Sequence, residues 1–78
     1  MLKAYILIET EKGKTKEVVE ALRGLDGALS VESVAGPYDA IALIEGKTLS
    51  ELGDVVTVNF GRVRGICRTV ICASTGSY

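Results

Sequence analysis

The 78-residue sequence contains no histidine and no tryptophan, and its aromatic residues are three tyrosines and one phenylalanine. Histidine is the commonest general base and metal ligand, so its absence excludes Ser-His-Asp and Cys-His catalytic arrangements and argues against a zinc site. The few aromatic residues include no pair on one strand of the kind that stacks RNA bases. We therefore expect no enzymatic activity, no metal and no cofactor.

Strong net charge and long apolar runs are also lacking. The formal net charge is -1, which provides no general attraction for nucleic acid, and we expect no direct DNA binding. No apolar run approaches the roughly 20 residues that span a bilayer, and no secretory signal pattern follows Met1. We expect a cytoplasmic protein that does not associate with a membrane.

Cysteine occurs only at Cys67 and Cys72, which lie five residues apart in one predicted strand. At that spacing the side chains point to opposite faces and the Cα atoms are roughly 16 Å apart, too far for a disulfide. We expect two buried free thiols in a reducing compartment. A domain of this size has a thin core, and without a disulfide or a metal we expect a partner subunit to add burial.

Hydrophobic periodicity predicts the element order β-α-β-β-α-β. Alternating apolar residues predict a first strand over about 3–10, a hairpin of two strands over about 28–46, and a last strand over 66–73. Helical spacing of apolar residues predicts a first helix over about 15–23. The domain is predicted to cover residues 1–74, with a flexible tail over 75–78.

A second helix is predicted between the hairpin and the last strand. Thr48 and Glu51 form the sequence signature of a capping box, and an apolar stripe with helical spacing follows as far as Val63. The β-branched run at residues 55–58 opposes a helix, but the cap and the periodicity favour one that ends at Gly65.

This element order is typical of an α+β, ferredoxin-like fold, a four-stranded antiparallel sheet with two helices on one face. The first strand is apolar on both faces, because Ala4 and Ile6 alternate with Tyr5 and Leu7. Leu43 contributes to the same pattern in the third strand. Since two helices cover only one face, and an uncovered face is normally polar, we predict a sheet-paired dimer with Tyr5, Leu7 and Leu43 in its interface.

One short segment carries more chemistry than a turn requires. Gly36 and Pro37 favour a tight turn between two apolar runs, and Tyr38 and Asp39 follow directly. A hairpin needs neither an aromatic ring nor a carboxylate at this point, which suggests a binding role. A turn with an exposed Tyr and Asp is the alternative, and both interpretations stay open from these residues alone.

Five segments together resemble a known family over roughly residues 3–70. They comprise residues 3–8, 13–22, 36–43, 49–52 and 65–69. They resemble the effector-binding domain of the Lrp/AsnC transcriptional regulators, called the RAM domain, and the Gly-x-Tyr-Asp hairpin is the most specific of them. In that family the domain follows a DNA-binding helix-turn-helix. This sequence starts at the first strand and is therefore similar to a stand-alone form.

The resemblance implies a sheet-paired dimer that can assemble into an octamer or decamer, with an amino acid or similar effector bound between dimers. By matching position, Gly36, Tyr38 and Asp39 would form one wall of that cleft, and Thr69 would lie on the other. Asp39 would pair with the effector's ammonium, and backbone N–H groups near Gly36 would bind its carboxylate. Arg68 is a further candidate for the carboxylate.

Three functions are compatible with these observations. The first is a non-enzymatic, amino-acid-binding module in transcriptional or metabolic regulation, acting alone or in mixed assemblies with full-length Lrp/AsnC regulators. The second is a small dimeric α+β-barrel enzyme of the monooxygenase or isomerase kind, for which Asp39, Tyr5 and Tyr38 would be poor general bases. The third is a purely structural oligomerisation domain.

Overall fold

The structure is a computed structural model that describes residues 1–76. Its four strands are β1 (Leu2–Thr10), β2 (Ala28–Ser33), β3 (Ala40–Gly46) and β4 (Ile66–Ala73), and its α-helices are α1 (Thr15–Arg23) and α2 (Leu49–Asp54). The strands form one antiparallel sheet in the order β2-β3-β1-β4. The predicted α+β, ferredoxin-like fold is confirmed.

The core lies between the sheet and the helices. Helix α1 packs against β2 and β3, and α2 packs against β3 and β1. The two central strands direct alternate residues into this layer, where they are fully buried: Ala4, Ile6, Ile8, Ala40, Ala42 and Ile44. Val18 and Leu22 of α1 and Leu52 of α2 close the layer from the helix side.

The second helix begins as predicted. The Thr48 hydroxyl accepts a hydrogen bond from the Glu51 backbone N–H at 3.1 Å, which satisfies a donor at the start of the helix. The Glu51 carboxylate accepts from the Lys47 backbone N–H at 3.3 Å instead of from Thr48. The reciprocal half of the capping box is therefore displaced by one residue.

Beyond Asp54 the second helix changes its winding. Residues Val55–Asn59 form a π-helical turn and Phe60–Arg62 form a 3₁₀ turn, where the sequence predicts a single helix. The Phe60 N–H donates to the Val55 carbonyl, and the Thr57 hydroxyl donates to the Gly53 carbonyl at 2.9 Å. The hydroxyl competes for a helical acceptor in a β-branched run, and the buried stripe nevertheless continues through Val56 and Phe60.

The turn between the second helix and β4 approaches α1 closely at Gly65. Gly65 has a φ of 98°, which favours glycine. A Cβ there would lie 3.0 Å from Val18 Cγ2 and 3.1 Å from Lys14 Cβ. Both the backbone conformation and the close approach to α1 therefore favour glycine at this position.

Both cysteines are free and exposed, so their predicted burial is wrong. They lie on β4, which is an edge strand. Arg68 pairs with Glu9 and Ile66 pairs with Thr10, so Cys67 is the extra residue of a β-bulge. Cys72 pairs with Tyr5 on the sheet face away from the helices.

Of the predicted tail over 75–78, residues 77 and 78 lie outside the described residues. Residues 74–76 follow β4 without regular secondary structure. No helix in the described part of the chain is long and apolar enough to cross a membrane. Within the same residues, no cluster of three or more His, Cys, Asp or Glu side chains could bind a metal ion.

Candidate ligand-binding site

The hairpin between β2 and β3 contains the first predicted wall of the site. The Val34 backbone N–H donates to the Asp39 carbonyl at 3.0 Å and closes the loop. Gly36 has a φ of 154°, a conformation that L-residues rarely adopt. Tyr38 and Asp39 are half-buried, whereas Gly36 and Pro37 are exposed. Tyr38 and Asp39 are therefore less accessible than the two turn residues that precede them.

Asp39 is attached to the end of β1 by two hydrogen bonds. Its backbone N–H donates to the Ile8 carbonyl at 2.9 Å, and its Oδ2 accepts from the Thr10 backbone N–H at 2.8 Å. A carboxylate has several acceptor sites on two oxygens, and Oδ1 makes no hydrogen bond with the described residues. Asp39 therefore holds the hairpin to β1 through one carboxylate oxygen, and its second oxygen is not used for a contact with the described residues.

The second predicted wall lies at the start of β4. Thr69 is half-buried and contributes to a cavity of about 190 Å³ between the second helix and β4. Val56 and Phe60, which come from the irregular part of that helix, also line this cavity. The change in helical winding therefore shapes the space beside Thr69.

Arg68 makes an ion pair that was not predicted from the sequence. Its Nε lies 2.7 Å from Glu9 Oε2, and the two side chains are 64% and 38% exposed. The residues are cross-strand partners on β4 and β1. In a single chain, Arg68 is therefore engaged by Glu9.

One chain does not bring the two walls to a common cavity. Ala40, which follows Asp39, and Thr69 pair with Ile8 from opposite sides of β1. Ala40 and Thr69 are therefore two strand spacings apart, a distance on the order of 10 Å. None of the described cavities is lined by both hairpin residues and Thr69.

The sheet face away from the helices carries a continuous apolar patch, which we call the open face. Tyr5 lies between Leu43 and Cys72, and in the next row Leu7 lies between Ile41 and Val70. Tyr5 is 48% exposed, and Leu7 and Leu43 are half-buried. The structure thus places the three predicted interface residues together.

Alternation in the sequence already placed Ile41 on the same face as Leu43, but two other members of the open face and one residue near Asp39 were not identified. Val70 and Cys72 alternate correctly within β4, so alternation combined with the strand order would have revealed them. Thr10 contributes through its backbone N–H. No side-chain pattern could have indicated that contact.

The sequence model of the Lrp/AsnC ligand binding domain matches residues 3–77. An uncharacterised HTH-type transcriptional regulator of Pyrococcus horikoshii is 31% identical over 74 residues, which are 91% of this chain and 49% of that protein. The chain therefore spans about half the length of the curated relatives it matches.

Solved structures share this fold over nearly the whole chain. The crystal structure of TTHA0845 from Thermus thermophilus has a TM-score of 0.93 and 35% identity, and the alignment covers 100% of this chain and 98% of that chain. A transcriptional regulator of Neisseria meningitidis, in complex with L-Met, has a TM-score of 0.84 and 16% identity, with coverage of 96% and 50%. At that lower identity the likeness is one of fold.

Proposed function

Because the chain belongs to the family of Lrp/AsnC ligand-binding domains, we propose that it is a non-enzymatic regulatory module that binds an amino acid or a similar small effector. It acts in transcriptional or metabolic regulation through oligomerisation. The observation that carries this proposal is the family match over residues 3–77. The geometry of the open face and of the hairpin supports it.

The open face supports assembly through the sheet. It places aliphatic and aromatic side chains in two adjacent rows across three strands, and contiguous exposed apolar surface of this kind is characteristic of interaction sites. A second copy offers the same apolar surface, so two sheets facing each other would bury both patches. We propose that Tyr5, Leu7 and Leu43 lie in this dimer interface.

The position of the two walls supports an effector site that depends on assembly. Asp39 and Thr69 lie on opposite sides of β1, so we propose that the hairpin of one chain faces the Thr69 segment of a chain in another dimer. Such contacts would build rings of dimers. Asp39 Oδ1 would pair with the effector's ammonium, and the backbone near Gly36 would bind its carboxylate.

A thermal-shift panel of the twenty amino acids tests effector binding. L-Met is the first probe, because the Neisseria meningitidis regulator of the same fold is in complex with it. A ligand at 100 times its Kd stabilises a protein by about 2.7 kcal/mol, which raises the Tm of a small domain by roughly 10–20 °C. If no amino acid raises the Tm, the proposal fails and a structural oligomerisation domain is favoured.

Asp39→Asn tests the assigned role of the carboxylate. The asparagine carbonyl can still accept from the Thr10 N–H, but the charge that pairs with ammonium is lost. We expect the affinity for the best amino acid to fall by one to two decades, from a charge-assisted contact of about 1.5–3 kcal/mol. The control is Asp26→Asn, which removes an equal charge from an exposed position; equal affinities of the two variants would contradict the assignment.

Mixed assembly is a second route to regulation. The curated relatives are HTH-type transcriptional regulators about twice as long as this chain, and we propose that the open face also pairs with the corresponding face of such a regulator. Co-expression of this chain with a differently tagged full-length relative from the same organism tests this. Recovery of both tags in one complex, abolished by Leu7→Asp, is expected; complete self-sorting would contradict it.

A further inference from the structure

We infer that a hydrogen-bonded path within each chain, from Asp39 through Thr10 and Glu11 to Gly65, links the two walls of the effector site. This inference rests on the proposed function for its biological meaning, but the path itself can be tested without an effector. Asp39 is then a positioning residue as well as a binding residue. Its carboxylate fixes the end of β1, and the end of β1 fixes the segment that leads to Thr69.

The first part of the path joins the hairpin to β1. Asp39 contacts β1 through its backbone N–H at 2.9 Å from the Ile8 carbonyl and through its Oδ2 at 2.8 Å from the Thr10 nitrogen. The two contacts flank one residue of β1, so the hairpin is fixed at both sides of Glu9. A displacement of Asp39 therefore displaces the end of the strand.

The second part joins β1 to the start of β4. The Glu11 backbone N–H, next to Thr10, donates to the Gly65 carbonyl at 2.7 Å. Thr10 itself pairs with Ile66 across a bulge. Gly65 and Ile66 lead directly into the strand that carries Thr69. Gly65, at the end of the path, and Ile66, which pairs with Thr10, therefore position the second wall.

Helix α1 supports the middle of the path. The Thr10 and Thr15 hydroxyls are 2.8 Å apart and share a hydrogen bond, and the Lys14 N–H donates to the Glu11 carbonyl at 3.0 Å. A Cβ at position 65 would lie 3.0 Å from Val18 Cγ2, so the backbone of Gly65 packs closely against α1. This close packing leaves little space for the hairpin, the end of β1 and the start of β4 to move independently.

The consequence concerns neighbouring sites. If a site takes its hairpin from one chain and its Thr69 wall from another, each chain contributes to two sites. The path then connects those sites, because an effector that binds Asp39 at one of them acts on the segment that forms part of the other. We therefore expect effector binding at neighbouring sites to be coupled, and by linkage each site would change the affinity of the other by the same factor.

Amide hydrogen exchange in the ligand-free protein tests the path. In Asp39→Ala, which removes the side-chain acceptor, we expect the Thr10 amide and the Glu11 amide to exchange roughly 2- to 10-fold faster, as for the loss of a typical hydrogen bond. Asp39→Asn retains an acceptor and should restore most of the protection. The Glu45 amide, which donates to Gly27 at the other end of β3, is the internal reference and should not change.

A glycine pair tests the path from its other end and serves if Asp39→Ala does not fold. Gly65→Ala introduces a Cβ against Val18 and Lys14, whereas Gly61→Ala introduces one with no atom within 4 Å. We expect Gly65→Ala to accelerate exchange at Glu11 and Thr10, and Gly61→Ala to leave both unchanged. Acceleration confined to Thr10 in Asp39→Ala, or absent from Thr10 in Gly65→Ala, overturns the path.

A final arm separates this inference from the proposed function. The probe is L-Met, or the amino acid with the largest thermal shift, and we expect it to slow Glu11 exchange in the parent chain but not in Gly65→Ala. Binding without any effect on Glu11 overturns the coupling and leaves the effector site in place. Coupled exchange in the variants without binding of any amino acid supports the path and contradicts the proposed function.

Discussion

The two faces of the sheet are built from the same strands, and they differ in what covers them. On the helix side, Ile6 and Ile44 are fully buried. On the open face, their neighbours Leu7 and Leu43 remain half-buried and Tyr5 is 48% exposed. Both sets of residues are apolar, so residue type alone does not distinguish the faces.

This difference indicates how the chain divides its apolar residues between folding and association. Burial of a large aliphatic side chain stabilises the folded state by about 1.5–3 kcal/mol. On the helix side the chain's own helices provide this burial, whereas the open face is buried only if another surface covers it. Substitutions on the helix side should therefore affect stability, whereas substitutions on the open face should affect association.

The largest expected effect comes from placing a carboxylate on each face. Ile6→Asp buries an unpaired charge among core residues, at a cost of several kcal/mol, against a total stability of roughly 4–12 kcal/mol for a domain of this size. We expect the chain to lose its fold by circular dichroism. Leu7→Asp should retain the fold and instead convert dimers to monomers in sedimentation velocity.

The neighbouring positions make these two variants controls for each other, because they introduce the same residue one position apart in β1. If Ile6→Asp folds normally, the assignment of the core face is wrong. If Leu7→Asp leaves the sedimentation coefficient unchanged at micromolar concentration, the open face is not the dimer interface.

The elements of this fold could largely be predicted from the sequence, because alternation and helical spacing report burial directly. The bounds of α1 and β4 agree with prediction, and the second helix begins at its predicted cap, Thr48. Its π-helical turn was not predicted. The Thr57 hydroxyl in that turn donates to the Gly53 carbonyl, and hydrophobic periodicity does not detect such a local contact.

The candidate site was less predictable, since its contacts join residues distant in sequence. Tyr38 and Asp39 stand out as surplus to the turn, but the bond from the Thr10 N–H to Asp39 spans 29 residues and uses a backbone donor. The pairing of Arg68 with Glu9 likewise requires the strand register. Both cysteines are exposed because β4 is an edge strand. The sequence alone did not indicate that the strand carrying them lies at the edge of the sheet.

A smaller effect should appear in the reactivity of the two thiols. Cys72 lies on the open face beside Tyr5, whereas Cys67 is the bulge residue and lines the Thr69 cavity. In the Cys67→Ser background we expect Cys72 to react with a maleimide at least about tenfold more slowly in the assembled protein than in the Leu7→Asp monomer. A tenfold difference corresponds to about 1.4 kcal/mol.

The matched measurement is made on Cys67 in the Cys72→Ser background. Its reaction rate should differ little between the expected dimer and the Leu7→Asp monomer, because Cys67 is not on the open face. Slower reaction of Cys67 that appears only in assemblies larger than a dimer would indicate that the Thr69 cavity is covered by a neighbouring dimer.

The smallest expected effect concerns the boundary of the open face. Glu9 and Arg68 form their 2.7 Å ion pair in the row next to Leu7 and Val70, with exposed fractions of 38% and 64%. An exposed ion pair contributes about 0–1 kcal/mol and is weakened by salt. In urea titrations, Glu9→Gln, Arg68→Gln and the double variant should therefore give a coupling energy below about 1 kcal/mol that declines further at 1 M salt.

Each variant should remain a dimer, since the pair lies at the rim of the apolar patch. A coupling well above that range, insensitive to salt, or conversion of Glu9→Gln to a monomer, would mean that the pair is enclosed between the two sheets and that the dimer interface extends beyond the open face.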